Sequence, residues 1–283
     1  MQRRGFGRLV LAGAAALACG GVRAGEPVRR RLRLALTFSN PHARMLEGQR
    51  CWHYLPAELG QSQQLLDVQV SMPFSVQQDS LGHRVLALEF GQLPPLAQKV
   101  VRITADVATS GAGAQALPER AAWLGAQRHV ETGAAEIQAL AAQLRAPAEW
   151  DSARAIYGWV QRNLAYAGYL ADDLGALQAL RTRRGDCTEY ASLTVALARA
   201  CGIPARVMGG YYGERDLAPQ PQDYHDWAEL YLDGAWRLAD AQKGNWLIPH
   251  EHYVAFRIHS GTATNAVGLA HRYRLQGELQ LAY

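Results

Sequence analysis

The stretch RRGDCTEYASLTVALARACGIPAR, residues 183–206, contains both ends of a buried helix. Asp186 is a suitable N-cap, so the pattern predicts a helix that begins at Cys187. Gly202 and Pro204 predict its end, because glycine suits the position after a helix and proline cannot continue one. The residues between are apolar on nearly all sides, which is typical of a helix inside a protein core. The sequence therefore predicts a core helix with a cysteine at its N-terminus.

The position of Cys187 favours a reactive thiol. A helix N-terminus stabilises negative charge, so we expect it to lower the pKa of the thiol and to make the sulfur more nucleophilic. The alternative is a structural cysteine at a helix start. A nucleophilic cysteine also needs a base within hydrogen-bond reach and a group that orients the base.

The segment YHDWAELYLDGAWRLADAQKG, residues 224–244, provides candidates for both groups. Asp233 and Gly234 form a strong two-residue hairpin signal between two strand-like runs. If they form the turn, His225 and Asp240 lie on the same face of the hairpin, one cross-strand step apart. A one-residue slip of the register would put them on opposite faces. The hairpin therefore predicts that Asp240 holds His225.

Glu229 would share the face of His225, as an acid among aromatic residues. Two explanations remain open from the sequence. The carboxylate is either buried with its own partners or placed at the edge of the face.

The rest of the chain divides by its periodicity. Residues 28–108 contain alternating apolar and polar runs, which predict an antiparallel sheet or a sandwich. The stretch TSGAGAQALP, residues 109–118, has the composition of a linker. Residues 133–145 and 148–165 then show helical spacing, and residues 206–212 are strand-like again.

The first 24 residues indicate an export signal. They combine a basic start, a short apolar stretch and the pair Arg3-Arg4, which is typical of twin-arginine export. Cleavage after Ala24 is the preferred site, with Ala18 as the alternative, and a lipidated Cys19 is a further alternative. The predicted location is periplasmic or secreted. No later segment is long and apolar enough to predict a transmembrane helix.

Charge gives no support for nucleic-acid binding. The formal net charge is +4, but residues 1–24 hold four of the 29 basic residues and none of the 25 acidic ones. The remainder has equal numbers of both, whereas nucleic-acid-binding domains carry an excess of basic residues.

Three cysteines follow the signal, at positions 51, 187 and 201. Export exposes them to an oxidising compartment, yet an odd number cannot pair fully within one chain. Cys187 and Cys201 would lie about 21 Å apart on one helix, too far for a disulfide. A pair between Cys51 and Cys201 stays open, as does the alternative of two buried free thiols.

Several motifs resemble those of the transglutaminase-like superfamily of papain-type cysteine enzymes. Residues 184–191, RGDCTEYA, resemble the nucleophile motif, and residues 197–207, LARACGIPARV, resemble the helix exit and the next strand. Residues 225–231, HDWAELY, are similar to the histidine strand, and residues 236–240 to the aspartate strand. The resemblance covers roughly residues 133–245.

The resemblance implies an α+β fold. Its core is a papain/transglutaminase-like unit, in which a helix bearing the cysteine packs on an antiparallel sheet bearing the histidine and the aspartate. A β-sandwich-like N-terminal domain would precede it. The expected division is an export signal at 1–24, a β domain at 25–108, a linker at 109–118 and a catalytic domain at 119–283.

The resemblance also implies a catalytic triad, with Cys187 as nucleophile, His225 as base and acid, and Asp240 as the orienting group. In the family the thiolate attacks an amide to form a thioester, which water or an amine then resolves. The backbone N–H of Cys187 would bind the oxyanion together with a side chain, for which Tyr166 is the first candidate and Trp159 the second. The implied activity is cysteine acyl transfer or amide or peptide hydrolysis.

Further expectations concern the substrate, the cofactors and the alternative functions. The substrate would be a protein or peptide, including one from the cell envelope, and no cofactor or metal is expected. The sequence lacks the acidic loop of calcium-activated relatives. Two alternatives remain: a catalytically silent module that binds peptides or cell-envelope components, and a metal site formed by Cys187 with His225 or by His250 with His252.

Overall fold

The structure is a computed structural model that describes residues 27–111, 117, 119–248 and 250–283. The predicted export signal, with Cys19, and most of the predicted linker at 109–118 lie outside the described residues. None of the described helices has the length and apolar character needed to cross a bilayer.

The described chain contains four α-helices and a larger number of strands. The helices are α1 (Ala135–Leu144), α2 (Glu149–Asn163), α3 (Ala176–Thr182) and α4 (Cys187–Ala200). The strands are β1 (Val28–Ser39), β2 (Leu46–Leu55), β3 (Gln63–Val70), β4 (Ser75–Gln78), β5 (Arg84–Leu93), β6 (Gln98–Thr109), β7 (Ala165–Tyr166), β8 (Arg184–Gly185), β9 (Ala205–Tyr212), β10 (Tyr224–Leu232), β11 (Ala235–Asp240), β12 (Asn245–Trp246), β13 (Tyr253–Ile258), β14 (Tyr273–Gln276) and β15 (Gln280–Ala282).

Strands β1 to β6 form most of a two-sheet sandwich. The strand orders are β15-β1-β6-β3 and β14-β2-β5-β4, and every pairing is antiparallel. Alternate residues of β1, such as Leu34 and Leu36, point into the core, where they join Leu86 and Leu88 of the facing sheet. The alternation in the sequence thus corresponds to one buried and one outer face on each sheet.

Strands from the far end of the chain complete this sandwich. Phe38 of β1 pairs with Leu281 of β15, and His53 of β2 pairs with Tyr273 of β14. The expected catalytic domain at 119–283 contains β14 and β15, but these two strands pair with the N-terminal sandwich. The pairing satisfies backbone N–H and C=O groups that edge strands would otherwise leave unpaired.

The second unit is a five-stranded sheet with helices on one face. Its order is β12-β11-β10-β9-β13, and α4 packs against β10 and β9. Helix α4 is buried along almost its whole length because α1, α2 and α3 surround it. The opposite face of the sheet packs toward the sandwich through Met208, Trp227 and Tyr253. This arrangement confirms the predicted α+β class, with a cysteine-bearing helix on an antiparallel sheet.

Candidate active site

The first turn of α4 holds Cys187 in a fixed position. The Asp186 carboxylate accepts the backbone N–H of Thr188 at 2.8 Å, and the Glu189 carboxylate accepts the backbone N–H of Asp186 at 3.1 Å. These reciprocal bonds form a capping box, which satisfies backbone donors that a helix start otherwise leaves free. The predicted helix start is therefore correct, and Cys187 is its first residue.

The predicted register of the β10–β11 hairpin is also correct. Asp233 and Gly234 both have positive φ, at 48° and 73°, as a tight primed turn requires. Tyr231 then pairs with Trp236, so the residues of both strands lie on the faces that the sequence predicts. His225 Nε2 lies 2.6 Å from Asp240 Oδ2, and both side chains are buried. The diagonal contact expected from the sequence is present.

Asp240 is held by more than His225. The Tyr253 hydroxyl donates to Asp240 Oδ2 at 2.8 Å, and the backbone N–H of Lys243 donates to Oδ1 at 3.0 Å. Burial acts against ionisation, but the hydrogen bonds from these three residues outweigh it and lower the pKa of the Asp240 carboxyl. Asp240 is therefore an ionised, oriented partner for the imidazole.

Cys187 lies beside this pair. The backbone N–H of Asp226, the residue next to His225, donates a hydrogen bond to the Cys187 sulfur. Cys187 and His225 line one cavity of about 300 Å³. A second cavity of about 520 Å³ adjoins it, and Tyr166, Cys187, Gln222 and Tyr224 line both. The cleft therefore extends to both sides of the sulfur.

The expectation of a lowered thiol pKa is wrong. Burial is the main influence on Cys187, and the nearby carboxylates of Asp226 and Asp186 act in the same direction, so the pKa of the thiol is raised. The hydrogen bond from the Asp226 N–H opposes them without reversing the shift. The sequence indicates the helix end but not the carboxylates that pack around it. Cys187 consequently needs a neighbouring base to lose its proton.

Tyr166 lies at the mouth of the cleft. Strand β7 pairs in parallel with β8, which places Tyr166 opposite Gly185, two residues before the nucleophile candidate. Its side chain is 57% exposed. Trp159, the second candidate, packs beneath the guanidinium of Arg183, with 4.3 Å between that group and the ring centroid. Tyr166 is thus the candidate that the structure places next to Cys187.

Glu229 is a buried carboxylate with its own partners. Arg206 donates to Glu229 Oε2 from Nε at 2.8 Å, and His250 Nε2 lies 3.1 Å from Oε1. Burial opposes ionisation, but the Arg206 and His250 charges and hydrogen bonds outweigh it and lower the pKa of Glu229 to about 2. The first explanation offered by the sequence is therefore correct.

The pair His250 and His252 does not form a shared site. The short 3₁₀ helix His250–His252 directs the two side chains to different partners. His250 contacts Glu229, whereas His252 Nδ1 lies 3.2 Å from Arg30.

Asp226 is a further buried carboxylate, close to Cys187, and the sequence offers no indication of its partners. The Thr188 hydroxyl donates to Asp226 Oδ2 at 3.0 Å, and His259 Nε2 lies 3.2 Å from Oδ1. His271 is the next neighbour, and it also contacts Asp173 at 2.8 Å. The two histidines follow Asp226 by more than 30 residues, so no local spacing in the sequence indicated this cluster.

The three cysteines of the described chain are free thiols. Cys51 lies in the sandwich core, whereas Cys201 packs at the end of α4, with its sulfur 3.4 Å from the Ala141 carbonyl. The pairing of Cys51 with Cys201 is therefore absent, and the alternative of two free thiols is correct within the described residues.

Comparisons with known proteins identify similar sequences and one similar fold. Residues 138–241 match the family model of the transglutaminase-like superfamily. Kyphoscoliosis peptidase of Mus musculus is 26% identical over 112 residues, which cover 36% of this chain and 17% of that protein. The protein of the same name from Homo sapiens is 29% identical over 104 residues, covering 34% of this chain and 16% of its own length. The match thus spans about a sixth of these relatives.

One solved structure shares the overall fold. The crystal structure of a proposed cysteine protease from Cytophaga hutchinsonii aligns with a TM-score of 0.66 at 20% identity. The alignment covers 92% of this chain and 89% of that one. The segment that matches the transglutaminase-like family model, residues 138–241, thus contains Cys187, His225 and Asp240.

Proposed function

We propose that this chain is an exported cysteine enzyme that transfers or hydrolyses the acyl group of an amide. Cys187 would be the nucleophile, His225 the general base and acid, and Asp240 the group that orients His225. The observation that carries the proposal is the buried 2.6 Å contact between His225 and Asp240, with His225 lining the same cavity as Cys187. A cysteine near a base that a carboxylate orients is the arrangement that covalent acyl transfer requires.

In the proposed mechanism each group has a separate role. Asp240 holds His225 through Nε2, so the other ring nitrogen, Nδ1, is the one that takes the thiol proton of Cys187. The thiolate forms a bond to the substrate carbonyl carbon, and the carbon–nitrogen bond then breaks as His225 returns the proton to the leaving amine. Water or an acceptor amine attacks the resulting thioester, again with His225 as base. The raised pKa of Cys187 makes this proton transfer to His225 a necessary part of attack.

The cleft supports a substrate that extends to both sides of Cys187. The two adjoining cavities meet at the nucleophile, and Tyr166 and Tyr169 stand exposed at the rim. Exposed aromatic side chains beside a cleft are common in surfaces that bind other molecules. We therefore propose a protein or peptide substrate, and the pattern of residues 1–24 points to the periplasm or the exterior as the place where it is met.

The proposal is tested with p-nitrophenyl acetate, an activated ester that reports acyl transfer without knowledge of the natural substrate. We expect release of p-nitrophenol and an acetyl group on Cys187, detected by peptide mass spectrometry, with both lost in the Cys187→Ala variant. Adding a primary amine separates the outcomes, because a transferase makes the amide whereas a hydrolase makes acetate. If the wild type neither turns over nor becomes acetylated, the proposed acyl transfer is contradicted and the silent binding module is the favoured alternative.

Tyr166 is expected to contribute to oxyanion binding. Removing its hydroxyl in Tyr166→Phe should lower kcat for ester turnover by about 10²-fold, the effect typical of one lost oxyanion donor. Tyr169→Phe is the matched control, because Tyr169 lines the neighbouring cavity and is 84% exposed. Unchanged turnover in Tyr166→Phe would remove Tyr166 from the mechanism and leave the rest of the proposal standing.

A further inference from the structure

We infer that Asp226, His259 and His271 form a binding site for a divalent transition-metal ion such as Zn²⁺. The ligand atoms of the three residues lie within 4.8 Å of one another. His259 Nε2 is 3.2 Å from Asp226 Oδ1, and His271 Nδ1 is 3.9 Å from Asp226 Oδ2. Two imidazoles and one carboxylate are a common first coordination set for zinc and related ions.

Neighbouring groups orient two of the three ligands. Asp173 contacts Nε2 of His271 at 2.8 Å, which turns the other ring nitrogen toward Asp226. A carboxylate behind a metal-bound histidine is the usual supporting arrangement in protein metal sites. The Thr188 hydroxyl fixes the Asp226 carboxylate at 3.0 Å. The three ligands therefore come from three separate parts of the chain, and residues from two further parts hold two of them in place.

An ion can reach the cluster from solvent. Asp226 and His271 line the cavity of about 520 Å³ that also contains Cys187. Three protein ligands leave at least one coordination position for water or for a group in the cleft. A metal bound here would lie beside the cavity that Cys187, Asp226 and His271 line, whereas His225 lines the adjoining cavity.

The charges around the cluster permit a dication. Asp226 and Asp173 place two carboxylates at or beside the ligands. Arg257 opposes the binding of a cation, because its positive charge acts on all three ligands. One of its amino groups donates to the Leu269 carbonyl at 2.9 Å. The competing interpretation is that Arg257 alone balances Asp226 and no metal binds.

Titration of the untagged, chelator-treated protein with ZnCl₂ tests the inference. We expect saturable binding of one equivalent by isothermal calorimetry. His271→Ala and His259→Ala should each abolish it or weaken it strongly, and Asp173→Asn should weaken it by about 10–100-fold. His271 has a partly exposed side chain, so His271→Ala is the variant least expected to disturb folding, and circular dichroism verifies that it is folded.

Two matched variants separate this site from other histidines and from the catalytic thiol. Cys187→Ser and His42→Ala should bind Zn²⁺ as the wild type does, because neither residue belongs to the cluster. Co²⁺ should give an absorption spectrum without the sulfur charge-transfer band that a Cys187 ligand would produce. The inference is overturned if the wild type shows no saturable binding, or if binding survives in the two histidine variants and disappears in Cys187→Ser.

Discussion

Replacing His225 by glutamine should slow acetylation of Cys187 by p-nitrophenyl acetate by about 10²–10⁴-fold, the usual contribution of a positioned general base. The reason lies in the raised pKa of the Cys187 thiol. Burial and the carboxylates of Asp226 and Asp186 keep the sulfur protonated, so without the imidazole few molecules carry the attacking thiolate. Stopped-flow measurement of p-nitrophenol release gives the rate directly.

Two matched variants show that the effect belongs to the pair. Asp240→Asn keeps an oxygen that can accept from His225 but removes the charge that stabilises the imidazolium. Loss of one charge-assisted hydrogen bond predicts a smaller decrease, about 10–100-fold. His42→Gln alters a histidine of the sandwich region that contacts Glu278, and should react at the wild-type rate. A His225→Gln rate within about threefold of the wild type would show that His225 is not the base, since general-base assistance gives at least 10²-fold.

Removing the charge of Glu229 should produce the largest loss of stability. In Glu229→Gln the guanidinium of Arg206 stays buried without its anionic partner, and breaking one side of a buried ion pair costs about 3–5 kcal/mol. Urea unfolding followed by tryptophan fluorescence at pH 7 measures the free energy of unfolding. The matched control is Glu89→Gln, which removes a 72% exposed carboxylate from its contact with Arg50 and should change stability by less than about 0.5 kcal/mol. A difference below about 1 kcal/mol between Glu229→Gln and the wild type would contradict the buried-pair interpretation.

Glu229 should also make the stability of the protein depend on pH. The folded pKa of Glu229, about 2, lies below its ordinary value of 4.5, so its stabilising contribution is complete above pH 4.5. As the pH falls from 4.5 through about 2, protonation removes that contribution, which is on the order of 3 kcal/mol. The Glu229→Gln variant lacks this ionisable group. Between pH 4.5 and about 2, the free energy of unfolding should therefore fall more for the wild type than for the variant.

Local sequence patterns predicted much of the candidate site and of the elements that carry it. The bounds of α4 followed from Asp186 and Gly202, and the hairpin register followed from Asp233 and Gly234. Each of these depends on turn and cap chemistry within a few residues, and such interactions do not require knowledge of the rest of the fold. The contact of His225 with Asp240 followed from the register alone.

Contacts between distant segments could not be read in the same way. Tyr253, which holds Asp240, and His259, which holds Asp226, reach the site because β13 pairs with β9. Nothing near either residue in the sequence specifies that strand order. The direction of the Cys187 pKa depends on the same long-range packing, because the Asp226 carboxylate is buried beside the first turn of α4.

Some elements lacked a clear local signal. Strand β2 reads Leu46–Leu55 with several consecutive buried residues near its end, so it does not show the strict alternation of its neighbours. Helix α3 has seven residues, too few to display a helical period.

The return of β14 and β15 to the sandwich delays the full pairing of the early strands during synthesis. Residues 28–109 are made before residues 273–282, yet one edge of each of their sheets is paired only by those later residues. The five-stranded sheet is made in the interval, so the sandwich strands made early are among the last to be fully paired. Contacts of such long sequence separation slow folding and prolong the exposure of unpaired edges. For a nascent chain, the arrival of residues 273–282 therefore protects the early strands from association with other chains.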